Sequence, residues 1–177
     1  EAVRGRGYPA FIGVDQGVCV DAEGVPDPTF ACAGDAATLL PNYQGIVFAE
    51  AQPGYLAGII AASISKSGTI GAVGGTNVPA VVNYWRGYEN GAKSINPDIK
   101  VLYQETDPDP AIGFNDPSSG RSIAKQFIGQ GADVLFQIAG LTGQGVLEEA
   151  CDSKVNGIGV DVAQALTLPN LAPCIVT

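Results

Sequence analysis

At 177 residues the chain is long enough for one full domain or for parts of two, and 46% apolar against 15% charged residues fits a folded α/β protein, not a disordered one. A formal net charge of −9, with nine lysines and arginines in all, gives little material for the basic face that nucleic-acid binding requires. Histidine is absent, which removes the commonest general base and zinc ligand, and no apolar run approaches the ~18–20 residues of a membrane span.

In chain order, "YPAFIGVDQ" reads as a strand ending on an acid, Asp15. A Pro/Gly/Asp-rich loop closed by two cysteines, "CVDAEGVPDPTFAC", follows it. "YQGIVFAE" is a second strand and "PGYLAGIIAASIS" a helix. From Gly68 the alternation becomes regular. "GTIGAVGG" is a short strand ended by Gly74 and Gly75. "VPAVVNYWRGYENGAKSIN" has helical spacing through Val78, Val81, Val82, Trp85, Tyr88 and Ala92, with Pro79 suited to a first turn. "IKVLYQE" is the next strand, followed by a Pro/Asp/Asn/Gly-rich loop from Thr106 to Gly120. "SGRSIAKQFIGQG" is an amphipathic helix closed by Gly131, "DVLFQIAG" a continuous apolar strand ending at Gly140, and "TGQGVLEEACDS" a helix. "NGIGVDVAQ" is a further strand ending on Asp161, and "CIVT" begins another. Strands buried on both faces and alternating with helices predict doubly wound parallel sheets.

Two or three strands do not make a stable parallel sheet alone. Residues 1–66 therefore read as the C-terminal part of one α/β lobe, and residues 67–177 as most of a second, with "SKSG" as the crossover. The chain starts at Glu1 without a methionine, as expected of a processed chain or a piece of a longer one. The four cysteines form no C-x-x-C pair. Cys19 and Cys32 close a local loop and are expected to pair, leaving Cys151 and Cys174 as the second pair. Free buried thiols are the alternative. Disulfides would imply an oxidising, extracytoplasmic compartment.

In open α/β sheets, ligands bind outside the carboxyl ends of the strands. Asp15, Gly74, Gly75, Gly140 and Asp161 all stand at such ends. A carboxylate there can accept two hydroxyl hydrogen bonds from a sugar, and glycine lets a ligand approach the backbone. The plainer readings are turn geometry for the glycines, and a helix N-cap or solvated loop acid for Asp161. Phe114, beside Asp116 in "IGFNDPSSG", is either a stacking platform or a structural plug. "AGLTGQG" lacks the lysine of a P-loop and the spacing of a dinucleotide fingerprint. No G-x-S-x-G elbow and no specified carboxylate pair supports catalysis, and no cofactor is expected.

The blocks "FAEAQPGYLAG", "GAVGGTNVP", "YENGAKSINPDIKV", "GFNDPSSGRSIA", "QGADVLFQIAGLTGQGV" and "GIGVDVAQ" occur in an order that resembles the basic membrane protein (BMP) family. These are PnrA-like substrate-binding lipoproteins of ABC transporters. The resemblance implies a type I periplasmic-binding-protein fold, with two lobes closing on a ligand and the first lobe incomplete in this chain. It also implies an extracytoplasmic protein that delivers a purine or other nucleoside to an ABC permease, anchored to the membrane by a lipid outside this chain. By resemblance, Asp161 would hold ribose hydroxyls and Phe114 or Phe136 would stack on the base. Gly140 would give backbone contacts, and Asp15 would face the cleft from the first lobe. Two positions depart from the family pattern. Ala163 stands where G-V-D-x-D-Q has its second acid, and Leu141 stands within a stretch that is commonly Gly-Gly-Thr-Gly. A surface or sensor protein that keeps the fold without transport is the rival expectation, and a flavodoxin-like enzyme a more distant one.

Overall fold

The computed structural model describes residues 9–14, 18–25, 27 and 32–177. Contacts divide the chain into two compact units, Glu1–Phe48 and Ala49–Thr177. In the first, strand β1 (Phe11–Val14) pairs in parallel with β2 (Tyr43–Ile46), and the short helix α1 (Ala36–Leu39) precedes β2. Cys19 and Cys32 are joined by a disulfide, their Cα atoms 4.6 Å apart. Asp15 lies outside the described residues.

The second unit carries helix α2 (Ala51–Ile64), strand β3 (Thr69–Gly74), α3 (Pro79–Ile95), β4 (Lys100–Glu105), the single turn α4 (Pro110–Gly113) and α5 (Pro117–Gly129). Strand β5 (Val134–Ile138), α6 (Thr142–Asp152), β6 (Asn156–Ile158), α7 (Gln164–Thr167) and a 3-10 turn (Ala172–Cys174) complete it. Its four strands form one parallel sheet in the order β4-β3-β5-β6. On one face α2 and α3 bring Ala57, Ala61, Val81, Tyr88 and Ala92 onto Ile70, Ala72, Phe136 and Ile138. On the other, α5 and α6 bring Ile123, Phe127, Val146 and Ala150 onto Val73 and Leu135. The sheet is therefore doubly wound, as the continuous apolar strands predict.

The unit boundary falls earlier than the "SKSG" crossover. Helix α2, expected with the first lobe, packs in the second unit because its small residues fit α3. Gly54 and Gly58 lie against the backbone of Tyr84 and Tyr88, while Gly87 and Gly91 lie against that of Ala51 and Tyr55. A Cβ at any of the four would meet a backbone carbonyl, so the two helices approach more closely than larger residues permit. The crossover itself is organised from the sheet. Asp133, just before β5, accepts the Ser65 hydroxyl at 2.6 Å and the N–H groups of Lys66 and Ser67 at 2.6 and 2.9 Å. Burial alone would raise its carboxyl pKa, but these hydrogen bonds outweigh it and hold the pKa below the ordinary value.

Gly131 closes α5 as expected, with φ +97° and the paired 6→1 and 5→2 bonds from Ala132 to Phe127 and from Gly131 to Ile128. Helix α6 ends the same way on a non-glycine, Lys154 at φ +59°. The expected loop from Thr106 to Gly120 is shorter than predicted. Asp109 caps α4 and Asp116 caps α5, so both prolines following those acids start helices. "CIVT" contributes the last residue of the 3-10 turn and one parallel bridge, Ile175 to Gly157, in place of a full strand. Cys151 and Cys174 form the second disulfide, tying the end of α6 to that turn.

Candidate functional site

The order β4-β3-β5-β6 reverses direction between β3 and β5: the chain leaves β3 toward β4 over one face and leaves β5 toward β6 over the other. Such a switch point opens a crevice at the carboxyl ends of its two strands. Gly75 follows β3 there and Gly140 follows β5, and the Gly75 N–H donates to the Ile138 carbonyl at 3.0 Å across the gap. Phe114 fills this position. Its ring lies on Gly75, and its Cβ stands 3.5 Å from where a side chain on Gly140 would begin. Gly75 is needed for close approach, since a Cβ there would collide with the ring, whereas Gly140 is favoured by its φ of +55°.

Thr142 holds Phe114 in place, and the sequence offered no sign of that role beyond its place in "GLTG". The Thr142 side chain is fully buried. Its N–H donates to the Phe114 carbonyl at 3.3 Å, and its hydroxyl oxygen accepts the Asp116 N–H at 2.7 Å. Asp116 is occupied as a cap. It accepts the Ser118 and Ser119 hydroxyls at 2.5 and 2.6 Å and the Ser119 N–H at 3.1 Å. Those bonds from Ser118 and Ser119 pull its carboxyl down to about 2.

Asp161 does not end a strand. Strand β6 stops at Ile158, and Asp161 occupies an exposed turn with φ +65°, where the Val162 N–H donates to the Val160 carbonyl at 2.7 Å. This is a three-residue γ-turn in its strained, positive-φ form. The N-cap reading also fails, since α7 is preceded by Ala163. Asp161 lines a cavity of about 300 Å³ with Pro53, Leu56, Tyr84, Phe136 and Val160. Phe136 is 2% exposed, packed edge-on against Tyr84 at 6.2 Å and tilted against Tyr88 at 5.2 Å. It is a core residue that shows the cavity only its margin. Thus Phe114 with Gly140 stands beyond the ends of β3 and β5, and Asp161 with Phe136 lines the cavity past β6, as two groups. The two departures both face solvent: Leu141 is 62% exposed and Ala163 is exposed beside Asp161. Among the described residues no cluster of acids and cysteines suits a metal ion.

A family model described as ABC transporter substrate-binding protein PnrA-like matches residues 23–173. The chain is 33% identical over 149 residues to the ABC transporter nucleoside-binding protein BmpA of Lactococcus lactis subsp. cremoris (strain MG1363), covering 82% of this chain and 41% of that protein. It is 39% identical over 132 residues to basic membrane protein A of Borreliella afzelii, covering 73% of this chain and 39% of that protein. An ABC transporter solute-binding protein from Aeropyrum pernix K1 has the same fold, with TM-score 0.70 at 24% identity over 92% of this chain and 42% of that one. The chain therefore spans about two fifths of the length of these relatives.

Proposed function

The chain belongs to the PnrA-like family of ABC transporter substrate-binding proteins, and on that premise we propose that it is part of an extracytoplasmic protein that binds a nucleoside-like solute for an ABC permease. The family is one of substrate-binding proteins, not enzymes, and the function is recognition. The observation that carries this reading is Phe114 on Gly75 at the sheet's switch point, the place where an open α/β sheet receives ligands. Its half-buried ring offers a planar, rigid surface for a base. The exposed backbone of Gly140 beside it offers polar contacts at close approach, and Asp161 accepts hydroxyl hydrogen bonds from the sugar. A lipid anchor outside the present residues holds the protein at the membrane surface.

Ala163 and Leu141 shift the preference of this site. The missing second acid removes one charge-assisted hydrogen bond, worth roughly 1.5–3 kcal/mol or about ten- to hundredfold in affinity. The exposed Leu141 adds apolar bulk at the rim. The favoured solute is accordingly smaller or less hydroxylated than an ordinary ribonucleoside. Calorimetry on the full-length protein with a panel of ribo- and deoxyribonucleosides tests this. Saturable binding with deoxynucleosides at least equal to their ribo forms is expected, and no binding of any member at millimolar concentration overturns the reading.

A further inference from the structure

Gln137 is an oddity in β5: an amide, fully buried, in a run of apolar residues. Its Oε1 accepts the Ala139 N–H at 3.2 Å, and its Nε2 donates to Gln164 Oε1 at 2.7 Å. Gln164 Oε1 also accepts the Val160 N–H at 3.0 Å. Two backbone donors thereby fix the orientation of both amides. Ala139 N–H requires an oxygen from Gln137, and Val160 N–H requires one from Gln164, which leaves only the Gln137 NH₂ to face the Gln164 oxygen. The surroundings leave the pair no slack. A Cβ on Gly143 would collide with the Gln137 amide, and one on Gly159 would collide with the Gln164 amide.

Val160 and Gln164 bracket Asp161. The node therefore ties both sides of the strained γ-turn, through two side chains, to β5, an inner strand of the sheet. Buried amides are costly unless every polar atom finds a partner, and an apolar pair of the same shape would fill this space without that cost. What hydrogen-bonded amides add is direction, because they accept one arrangement of the backbone and reject its neighbours.

We propose that Gln137 and Gln164 are positioning residues that hold the Val160–Val162 turn, and with it the Asp161 carboxylate, in the geometry that receives the ligand. Neither amide needs to touch the ligand. The proposal rests on the reading of Asp161 as a ligand group, and it has a ligand-independent half. The main variant is Gln164→Leu. Gln164→Glu is its conservative partner, since a carboxylate accepts from both the Gln137 NH₂ and the Val160 N–H.

In the full-length, ligand-free protein, hydrogen exchange of the Val160 and Val162 amides should quicken at least tenfold in Gln164→Leu. Leu135 and Phe136 in β5 should keep their protection, and Gln164→Glu should restore parental exchange at Val160. Unchanged exchange at Val160 and Val162, or loss of protection throughout β5, overturns the proposal whatever the protein binds. In the binding arm, Gln164→Leu should weaken the tightest nucleoside of the panel at least tenfold in the parent background and less than twofold in Asp161→Ala. Equal losses in both backgrounds show that the amide does not act through Asp161, and overturn the positioning role. A parent that binds no nucleoside removes the functional reading of Asp161, and the exchange result still decides whether the amides set the turn.

Discussion

The ring of Phe114 rests on Gly75 with no space between them for a methyl group. The two residues are joined across the switch point of the sheet, where the Gly75 carbonyl also accepts the Asp107 N–H at 3.3 Å. Gly75→Ala is accordingly an overpacking change aimed at the candidate site. It should cost about 1–3 kcal/mol by chemical denaturation and weaken nucleoside binding more than tenfold, because the ring must move. Phe114→Ala should abolish the stacking contribution, and in that background Gly75→Ala should cost little further stability. Additive losses in the double variant would show that the ring is not what excludes the methyl group.

Asp161 separates backbone strain from chemistry. A left-handed conformation costs a non-glycine residue roughly 1–2 kcal/mol, somewhat less for aspartate. Asp161→Gly should leave thermal stability at or above the parental value, whereas Asp161→Ala should lower it. Both should weaken binding of a ribosyl ligand at least tenfold. Retained affinity in Asp161→Gly would take the carboxylate out of the site.

The cap at Asp116 titrates in a defined window. Its folded-state pKa, about 2, lies below the value of about 3.9 in an unfolded chain, so its contribution to stability is complete above the higher value and disappears as pH falls toward the lower one. Asp116→Asn should lose this acid-dependent component while keeping a neutral cap. Acid titration of the thermal midpoint from pH 5 to pH 2 should therefore be shallower in the variant than in the parent. Parallel curves would mean that the serine hydrogen bonds seen at Asp116 do not favour its ionised form.

The Cys151–Cys174 bridge spans 23 positions and encloses the whole segment from β6 through α7. Loop-closure entropy gives a bridge of that span about 3 kcal/mol. Replacing both cysteines with serine should lower the urea-derived stability by that order. An unaltered unfolding midpoint in the double variant, with parental protein shown to be oxidised by mass, would rule out the bridge as a source of stability.

Much of this architecture is written in short windows of sequence. The order of strands and helices, the first-turn place of Pro79 and the closing role of Gly131 depend on preferences that act over a few residues. The strand-end positions of Gly75 and Gly140 were legible for the same reason. The extent of β6 was not. Val160 continues the apolar alternation, yet the strand stops at Ile158, and the Val160 N–H goes to the Gln164 side chain.

What tertiary structure alone decided is which distant residues meet. Alternation cannot reveal that α2 belongs with α3, since the glycines that allow it are 33 positions apart and look like ordinary helix breakers. Phe114 reads equally as plug or platform from its loop, and nothing local in the chain shows that Gly75 lies beneath it. Gln137 reads as a stray polar residue until Gln164, 27 positions later, supplies its partner. By itself, then, the sequence determined the local elements and the family, because backbone preference and ordered motifs are properties of neighbouring residues. Only the folded sheet decided which residues meet at the candidate site, because close approach and buried hydrogen bonds exist between residues that strand order, and not chain order, brings together.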